Sequence, residues 1–545
     1  MEHKISISKL IILIVLNLFA MHTTEAAKPK LIVGIVVDQM RVDYLSRYES
    51  KFSEGGFKKL ISGGYFNKNT NFNYVPTYTG PGHASIFTGS TPRINGIIAN
   101  DWYDKKTGKE MYCTDDKTVN TVGSSSKAGM MSPRNMLTTT IGDEMRLASN
   151  MKAKVIGISQ KDRASILPAG HTANAAYWYD GSNGAFISST FYMQQLPTWV
   201  SAFNEKKLPE KYLSQDWTTL LPMSAYTESM SDDNAFEGTF KGESKPVFPH
   251  KLAELKDKNK GLNMLRATPF GNTLTKEFAI EAIKNEQLGA DEVTDFLSVS
   301  FSSTDYVGHQ FGTNAIETQD TYLRLDKDLE EFIAFLEKQI GRDNFIIFLT
   351  ADHGGAHNAA YLQSVKIPAG YIDEKMISDS MKAHLMSVYG DSLVRSYSNQ
   401  QFFFNHDAMA KKKLKLKEVS MEAVRYSLTL EGVANAYTLF DIMAASQSAD
   451  FALSRIYMGY NDVRSGDVVL NYLPAYLDYQ KTGTTHGAAY TYDTHVPLIW
   501  YGWKISAGAS YEPVNISDIA PTISSFLDIA FPNGCVGQPI KGLIK

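Results

Sequence analysis

Cysteine is nearly missing. Cys113 and Cys535 are the only two in 545 residues, enough for one disulfide at most, and their spacing leaves the pairing open. The fold therefore rests on its core rather than on crosslinks. Neither charge is in excess: 54 Lys and Arg stand against 58 Asp and Glu, a net charge of -4, which is not the strongly basic balance of a nucleic-acid binder. The one basic cluster, Lys411 to Lys417, reads as a solvated helix face. Long apolar runs are scarce. Leu10 to Ala20 falls short of the ~20 residues that span a bilayer, and no second such stretch follows, so no membrane span is expected. Repeats and low-complexity segments are lacking, and 43% hydrophobic residues describe a large globular protein rather than a disordered or fibrous one.

The N-terminus carries an address. Lys4 and Lys9 precede the apolar run, and Thr24-Glu25-Ala26 offers a small-residue cleavage site, the pattern of a secretory signal peptide over residues 1–26. No cysteine near that site suggests a lipid anchor. The expectation is a periplasmic or secreted protein that acts as a monomer.

The remainder alternates strand and helix. Leu31 to Val37 is a continuous apolar run of the kind buried on both faces in a parallel sheet, and Asp38 stands at its carboxyl end. Ligands bind beyond the carboxyl ends of such strands, though a turn or cap carboxylate would look the same. Ser132 and Pro133 read as the start of a helix with Leu137, Ile141 and Met145 on one face. A strand follows over Val155 to Ser159, with Lys161 and Arg163 just past its end. Further strands are read over Asp295 to Phe301, leading to Asp305 and His309, over Phe345 to Leu349, leading to Asp352 and His353, and over Val496 to Tyr501. A helix with Tyr322, Leu325, Leu329, Phe332, Leu336 and Ile340 on one face precedes Gly341, and a last helix is read over Ser517 to Leu527. The alternation breaks down twice. The reading is an α/β fold, a three-layer α/β/α arrangement around a mostly parallel sheet: core over residues 27–166, 271–365 and 482–545, with inserted caps at 167–270 and 366–481.

The chemistry-bearing residues fall at those strand ends. Thr79 precedes a Gly-Pro-Gly bend from which His83 to Phe87 can start a helix, placing its hydroxyl where free backbone N–H groups favour an anion; it is a candidate nucleophile or a plain helix cap. Asp38, Asp305, His309, Asp352, His353 and His486 supply three carboxylates and three imidazoles. Two sites of mixed nitrogen and oxygen ligands suit Zn²⁺ better than an all-oxygen Mg²⁺ or Ca²⁺ cage. Asp305 and His309 are one helical turn apart; the adjacent Asp352 and His353 need a bend, which Gly354-Gly355 permits.

These motifs resemble the alkaline phosphatase superfamily, closest to its phosphate-irrepressible, threonine-nucleophile alkaline phosphatases. The stretches that carry the resemblance are Thr-Tyr-Thr-Gly-Pro-Gly-His-Ala-Ser from Thr77, Gly-Ile-Ile-Ala-Asn-Asp-Trp-Tyr-Asp from Gly96, Gln-Lys-Asp-Arg from Gln160, Asp-Tyr-Val-Gly-His from Asp305, Ala-Asp-His-Gly-Gly from Ala351 and Thr-Thr-His-Gly from Thr484. The resemblance implies an exported phosphate monoesterase of broad specificity with two Zn²⁺ per chain, acting on small phosphate monoesters. It implies one zinc on Asp305, His309 and His486 and a second on Asp38, Asp352, His353 and Thr79. Thr79 would be the covalent nucleophile, with Asn100, Lys161 and Arg163 holding the phosphoryl oxygens. The related nucleotide pyrophosphatase/phosphodiesterases share the threonine motif, the asparagine and the ligands but lack this Lys and Arg pair and favour diesters. Two more cations near the metals match a dianionic monoester, so the monoesterase is expected and the diesterase is the alternative. Sulfatases need a convertible Cys or Ser followed by Pro and Arg, which Thr79, Pro81 and His83 do not provide.

Overall fold

The computed structural model describes residues 28–544, and the expected signal peptide lies outside them. Its frame is a ten-stranded sheet formed by β1 (Leu31–Val37), β2 (Tyr65–Asn67), β3 (Thr121–Val122), β4 (Val155–Ser159), β5 (Ala175–Asp180), β6 (Ala185–Ser189), β7 (Asp295–Phe301), β8 (Phe345–Thr350), β9 (Leu498–Gly502) and β10 (Gly508–Ser510), in the spatial order β10-β2-β9-β8-β1-β7-β4-β5-β6-β3. β1 is buried at every position and pairs in parallel with β7 on one edge and β8 on the other, Leu31 lying opposite both Asp295 and Phe345. That double burial is what its unbroken apolar run demands.

The five middle strands β8-β1-β7-β4-β5 are parallel, as expected, but the flanks are not. β9 returns antiparallel to β8, β2 antiparallel to β9, and β6 antiparallel to β5. Only four residues join β5 to β6, too few for the crossover that a parallel return needs. These two strands also lie inside the stretch expected to be a cap beginning at residue 167, so the main sheet continues past that boundary.

The helices α1 (Thr79–Thr88), α2 (Asp162–Ala169), α3 (Phe270–Glu286), α4 (Ser303–Phe311), α5 (Ile316–Gln339) and α6 (Ile519–Leu527) complete the layers. α1, α2 and α6 pack together on one side of the sheet and α3 with α5 on the other. The helix expected from Ser132 starts later, at Ile141. Thr140 caps it: its Oγ1 accepts from Asp143 N–H at 3.1 Å while Asp143 Oδ2 accepts from Thr140 N–H at 2.9 Å. That reciprocal box outcompetes Ser132, whose hydroxyl donates instead to Asp116 at 2.6 Å, and Leu137 is left 56% exposed in a loop.

Residues between 394 and 472 build a separate four-stranded sheet, in which Gln401–Phe404 lies between Val394–Ser398 and Val468–Tyr472, and Val433–Thr438 pairs with the far side of Val468–Tyr472. It has its own core around Met381, Leu385, Phe402 and Val419. Cys113 is buried, Cys535 partly so, and the two are unpaired. Among the described residues no helix is long and apolar enough to cross a membrane.

Candidate active site and metal centre

The sheet brings its reactive groups to one edge because the parallel strands all end there. Asp38 follows β1; Lys161 and Arg163 follow β4; Asp305 and His309 lie on α4 after β7; Asp352 and His353 follow β8. His486 arrives on the loop before β9.

Thr79 is the first residue of α1, and the helix lies over the site because Gly82 allows it: a Cβ there would sit 2.3 Å from the Asp352 carbonyl oxygen. Tyr78, not Thr79, is the cap residue, and no side chain caps this helix end. The Thr79 hydroxyl is therefore not used up as a cap. It is 1% exposed and accepts from the Lys161 ammonium at 3.3 Å. Asn100 Oδ1 accepts from Gly80 N–H at 2.8 Å, which leaves its amide N–H₂ as a donor beside the helix start.

The carboxylates and imidazoles interlock. His309 Nε2 stands 3.1 Å and His486 Nε2 3.7 Å from Asp305 Oδ1, while His353 Nε2 stands 3.5 Å from Asp38 Oδ1 and 3.6 Å from Asp352 Oδ2. Two groups have ligand atoms close enough to share an ion: Asp38, Asp352 and His353, and Asp305, His353 and His486. His353 thus faces both, its ring stacked on His486 at 3.5 Å between centroids. Each imidazole turns Nδ1 to a backbone carbonyl, His309 to Thr484 at 2.8 Å, His486 to Thr77 at 2.7 Å and His353 to Gly354 at 2.9 Å. Donating there fixes the tautomer whose Nε2 lone pair points inward, the arrangement metal-binding imidazoles adopt. Asp38 Oδ1, Asp352 Oδ2 and His353 Nε2 are buried without a hydrogen-bond partner. Orphaned acceptors of this kind in one cluster fit divalent cations.

Electrostatics point the same way. Burial, with the Asp305 and Asp352 carboxylates, pushes Asp38 well above the ordinary carboxylate range against the pull of Lys161. Burial acts on Asp305 too, but His309 and Lys161 outweigh it and hold its carboxyl well below that range. Burial lowers His353, and burial with the neighbouring His353 and His309 rings lowers His486 further, which favours the neutral form of both. The Lys161 ammonium bridges the two halves, 2.6 Å from Asp38 Oδ2 and 2.6 Å from Asp305 Oδ2. Arg163 is steered by Tyr112, whose hydroxyl oxygen accepts from its Nη1 at 3.0 Å and donates to Asp162 at 3.0 Å.

A profile described as type I phosphodiesterase / nucleotide pyrophosphatase matches residues 32–493, a span that contains every one of these groups. The chain belongs to that family, within the alkaline phosphatase superfamily. Among its relatives, alkaline phosphatase PafA of Elizabethkingia meningoseptica is 47% identical over 529 residues, 96% of each chain. A protein of Myroides odoratus named calcium-transporting ATPase is 47% identical over 525 residues, 95% of each chain. The crystal structure of wild-type alkaline phosphatase PafA superposes with a TM-score of 0.92 at 46% identity, covering 96% of this chain and 100% of that one. Enzymes of this superfamily depend on metals, and the two acid and histidine groups are where this member can hold them.

Three positioning residues received no site role in the sequence: Gln39 and Tyr112 lie outside the quoted motifs, and His83 lies within the stretch from Thr77. His83 donates from Nδ1 to the Thr79 carbonyl at 2.9 Å, lies 3.3 Å from Asp352 Oδ2 and accepts from Ser300 on Nε2. Gln39, at φ 60°, donates from Nε2 to Asp305 at 2.9 Å. Tyr112 holds Arg163. Gly354, expected to supply a bend, has no left-handed backbone; it is needed for contact, since a Cβ there would lie 2.1 Å from the Tyr492 carbonyl oxygen.

Proposed function

We propose that this chain is an exported, two-zinc alkaline phosphatase that hydrolyses phosphate monoesters of broad specificity through a phospho-threonine at Thr79. The single observation that carries the reading is the buried Thr79 hydroxyl, free of any capping bond at a helix N-terminus, with the Lys161 ammonium 3.3 Å away. The names of its phosphatase relatives and the family's metal dependence support it. Export rests on the N-terminal pattern of residues 1–26.

Asp305, His309 and His486 would hold one zinc and Asp38, Asp352 and His353, with Thr79, the other. Bound there, the metals would make the hydroxyl a nucleophile at moderate pH and stabilise the departing oxygen. Thr79 Oγ1 attacks phosphorus, its bond to phosphorus forms, and the bond to the alcohol oxygen breaks. The helix N-terminus, the Asn100 amide, Lys161 and Arg163 receive the non-bridging oxygens and hold them in line with the attack. Water then displaces Thr79 from phosphorus, releasing inorganic phosphate and restoring the hydroxyl.

The Lys161 and Arg163 pair favours a substrate with two negative charges. A second reading, cleavage of diesters, takes its support from the description of the matching family profile. The transport in the name of the Myroides relative gains nothing from the cluster of nucleophile, amide and cations. The discriminating experiment compares kcat/KM for an aryl phosphate with that for the matching methyl aryl diester, in the wild type and in a Lys161→Ala, Arg163→Ala variant. A monoester lead that the variant loses selectively supports the monoesterase; a diester lead in the wild type supports the other branch.

A further inference from the structure

Four cations converge on a cavity that the chemistry above does not use. Lys241, Lys258, Lys260 and Arg266 line a space of about 540 Å³, with Asn263 between them and Tyr306 as a wall, and no aspartate or glutamate lines it. The volume is that of a small-molecule pocket. Tyr306 directly follows Asp305 on α4, and its ring has Lys161 Nζ 5.1 Å and Arg266 Cζ 6.0 Å from its centroid. The reaction centre and the cavity therefore share one aromatic wall. Arg266 is tied to the same strand end as Lys161: its Nη2 donates to the Tyr179 carbonyl at 2.6 Å and to that of Gln160, the residue before Lys161, at 3.3 Å.

The cations are uncompensated. Some lysines elsewhere are paired with acids, as Lys59 is with Glu337, Lys251 with Asp216 and Lys276 with Glu331. Among the described residues none of the four lining this cavity has a carboxylate partner, and Arg266 Nε is buried without any hydrogen-bond partner. A cleft lined by one sign of charge concentrates the opposite sign within it.

We propose that this cavity is a subsite for a second anionic group carried by the substrate, so that the preferred phosphate monoesters bear another phosphate a short spacer away from the one at Thr79. This deepens the monoesterase reading and rests on it. The test uses metal-loaded full-length protein and matched pairs, an n-alkyl phosphate against the α,ω-alkanediol bisphosphate of the same length, across several lengths. At one spacer length kcat/KM should favour the bisphosphate by about tenfold. Arg266 also holds backbone carbonyls, so the decisive variant is Lys241→Ser, Lys258→Ser, Lys260→Ser, in which that ratio should fall towards one. A ratio near one at every length in the wild type, or an unchanged ratio in the triple variant, overturns the subsite. Calorimetric binding of α,ω-alkane bisphosphonates against alkyl phosphonates decides the same question without turnover. A wild type that cleaves neither ester would thus refute the monoesterase reading while the binding ratio still judges the cavity.

Discussion

The Lys161 ammonium lies 3.3 Å from the Thr79 hydroxyl oxygen, and both side chains are buried. The same ammonium contacts Asp38 and Asp305, one acid from each prospective metal group, and those two acids hold its proton on tightly against the cost of burial. Lys161→Ala removes a cation a few ångströms from the reacting oxygens, where such a charge is worth roughly 1 to 4 kcal/mol. The expected loss is about 5- to 1000-fold in kcat/KM for an aryl phosphate, with a much smaller loss for the matching diester. Equal losses on both would mean that the lysine acts through the fold or the carboxylates alone.

Removing metal should disarm the site and loosen it together. Without cations, Asp38 Oδ1, Asp352 Oδ2 and His353 Nε2 are buried acceptors with no hydrogen-bond partner, and Asp38 and Asp305 share one lysine. Dialysis against a chelator is expected to abolish turnover and lower Tm, and Zn²⁺ should restore both. A ligand at 100 times its Kd adds about 2.7 kcal/mol of stability. Loss of activity with an unmoved Tm would contradict a buried metal centre.

His250 sets a limit on stability at high pH. It is fully buried between Glu243, 2.9 Å from its Nδ1, and Glu317, 3.2 Å from its Nε2. Burial works against its charge, but the two carboxylates prevail and raise it from 6.5 to about 9. Because the folded value lies above the unfolded one, its contribution is complete below about pH 6.5 and is lost as pH rises through about 9; the shift amounts to roughly 3 kcal/mol. Wild-type stability against denaturant should fall between pH 7 and 10, and the fall should be shallower in His250→Gln. Parallel curves would show that other groups govern the alkaline limb.

The strand ends were readable because a buried parallel strand leaves an unbroken apolar run, and Asp38, Lys161, Asp305 and Asp352 each sit just beyond one. Residues whose function is a contact were harder to see. His83 and Gln39 are ordinary polar residues until the fold sets them against Thr79, Asp352 and Asp305, and Tyr112 meets Arg163 only across 51 positions of sequence. Ser132-Pro133 is a strong local helix signal, yet Thr140 and Asp143 cap each other and win. The strands at Ala175 and Ala185 were hidden by their mix of Tyr, Trp and Ser, which suits the flank of a mixed sheet better than its apolar centre. Of the two pairs read from their spacing, His309 stands 3.1 Å from Asp305 and His353 3.6 Å from Asp352, but His353 faces both ligand groups and His309 belongs to neither.

The central claim is a covalent phosphate on Thr79, and the most direct test is to acid-quench the zinc-loaded enzyme during steady-state turnover of an aryl phosphate, digest it and locate phosphate by mass spectrometry. The account predicts phosphate on the peptide carrying Thr79, none in Thr79→Ala, and a fall in kcat of about 10⁴-fold or more in that variant with an unchanged Tm. Phosphate on another residue, or a Thr79→Ala protein that turns over like the wild type, would contradict it.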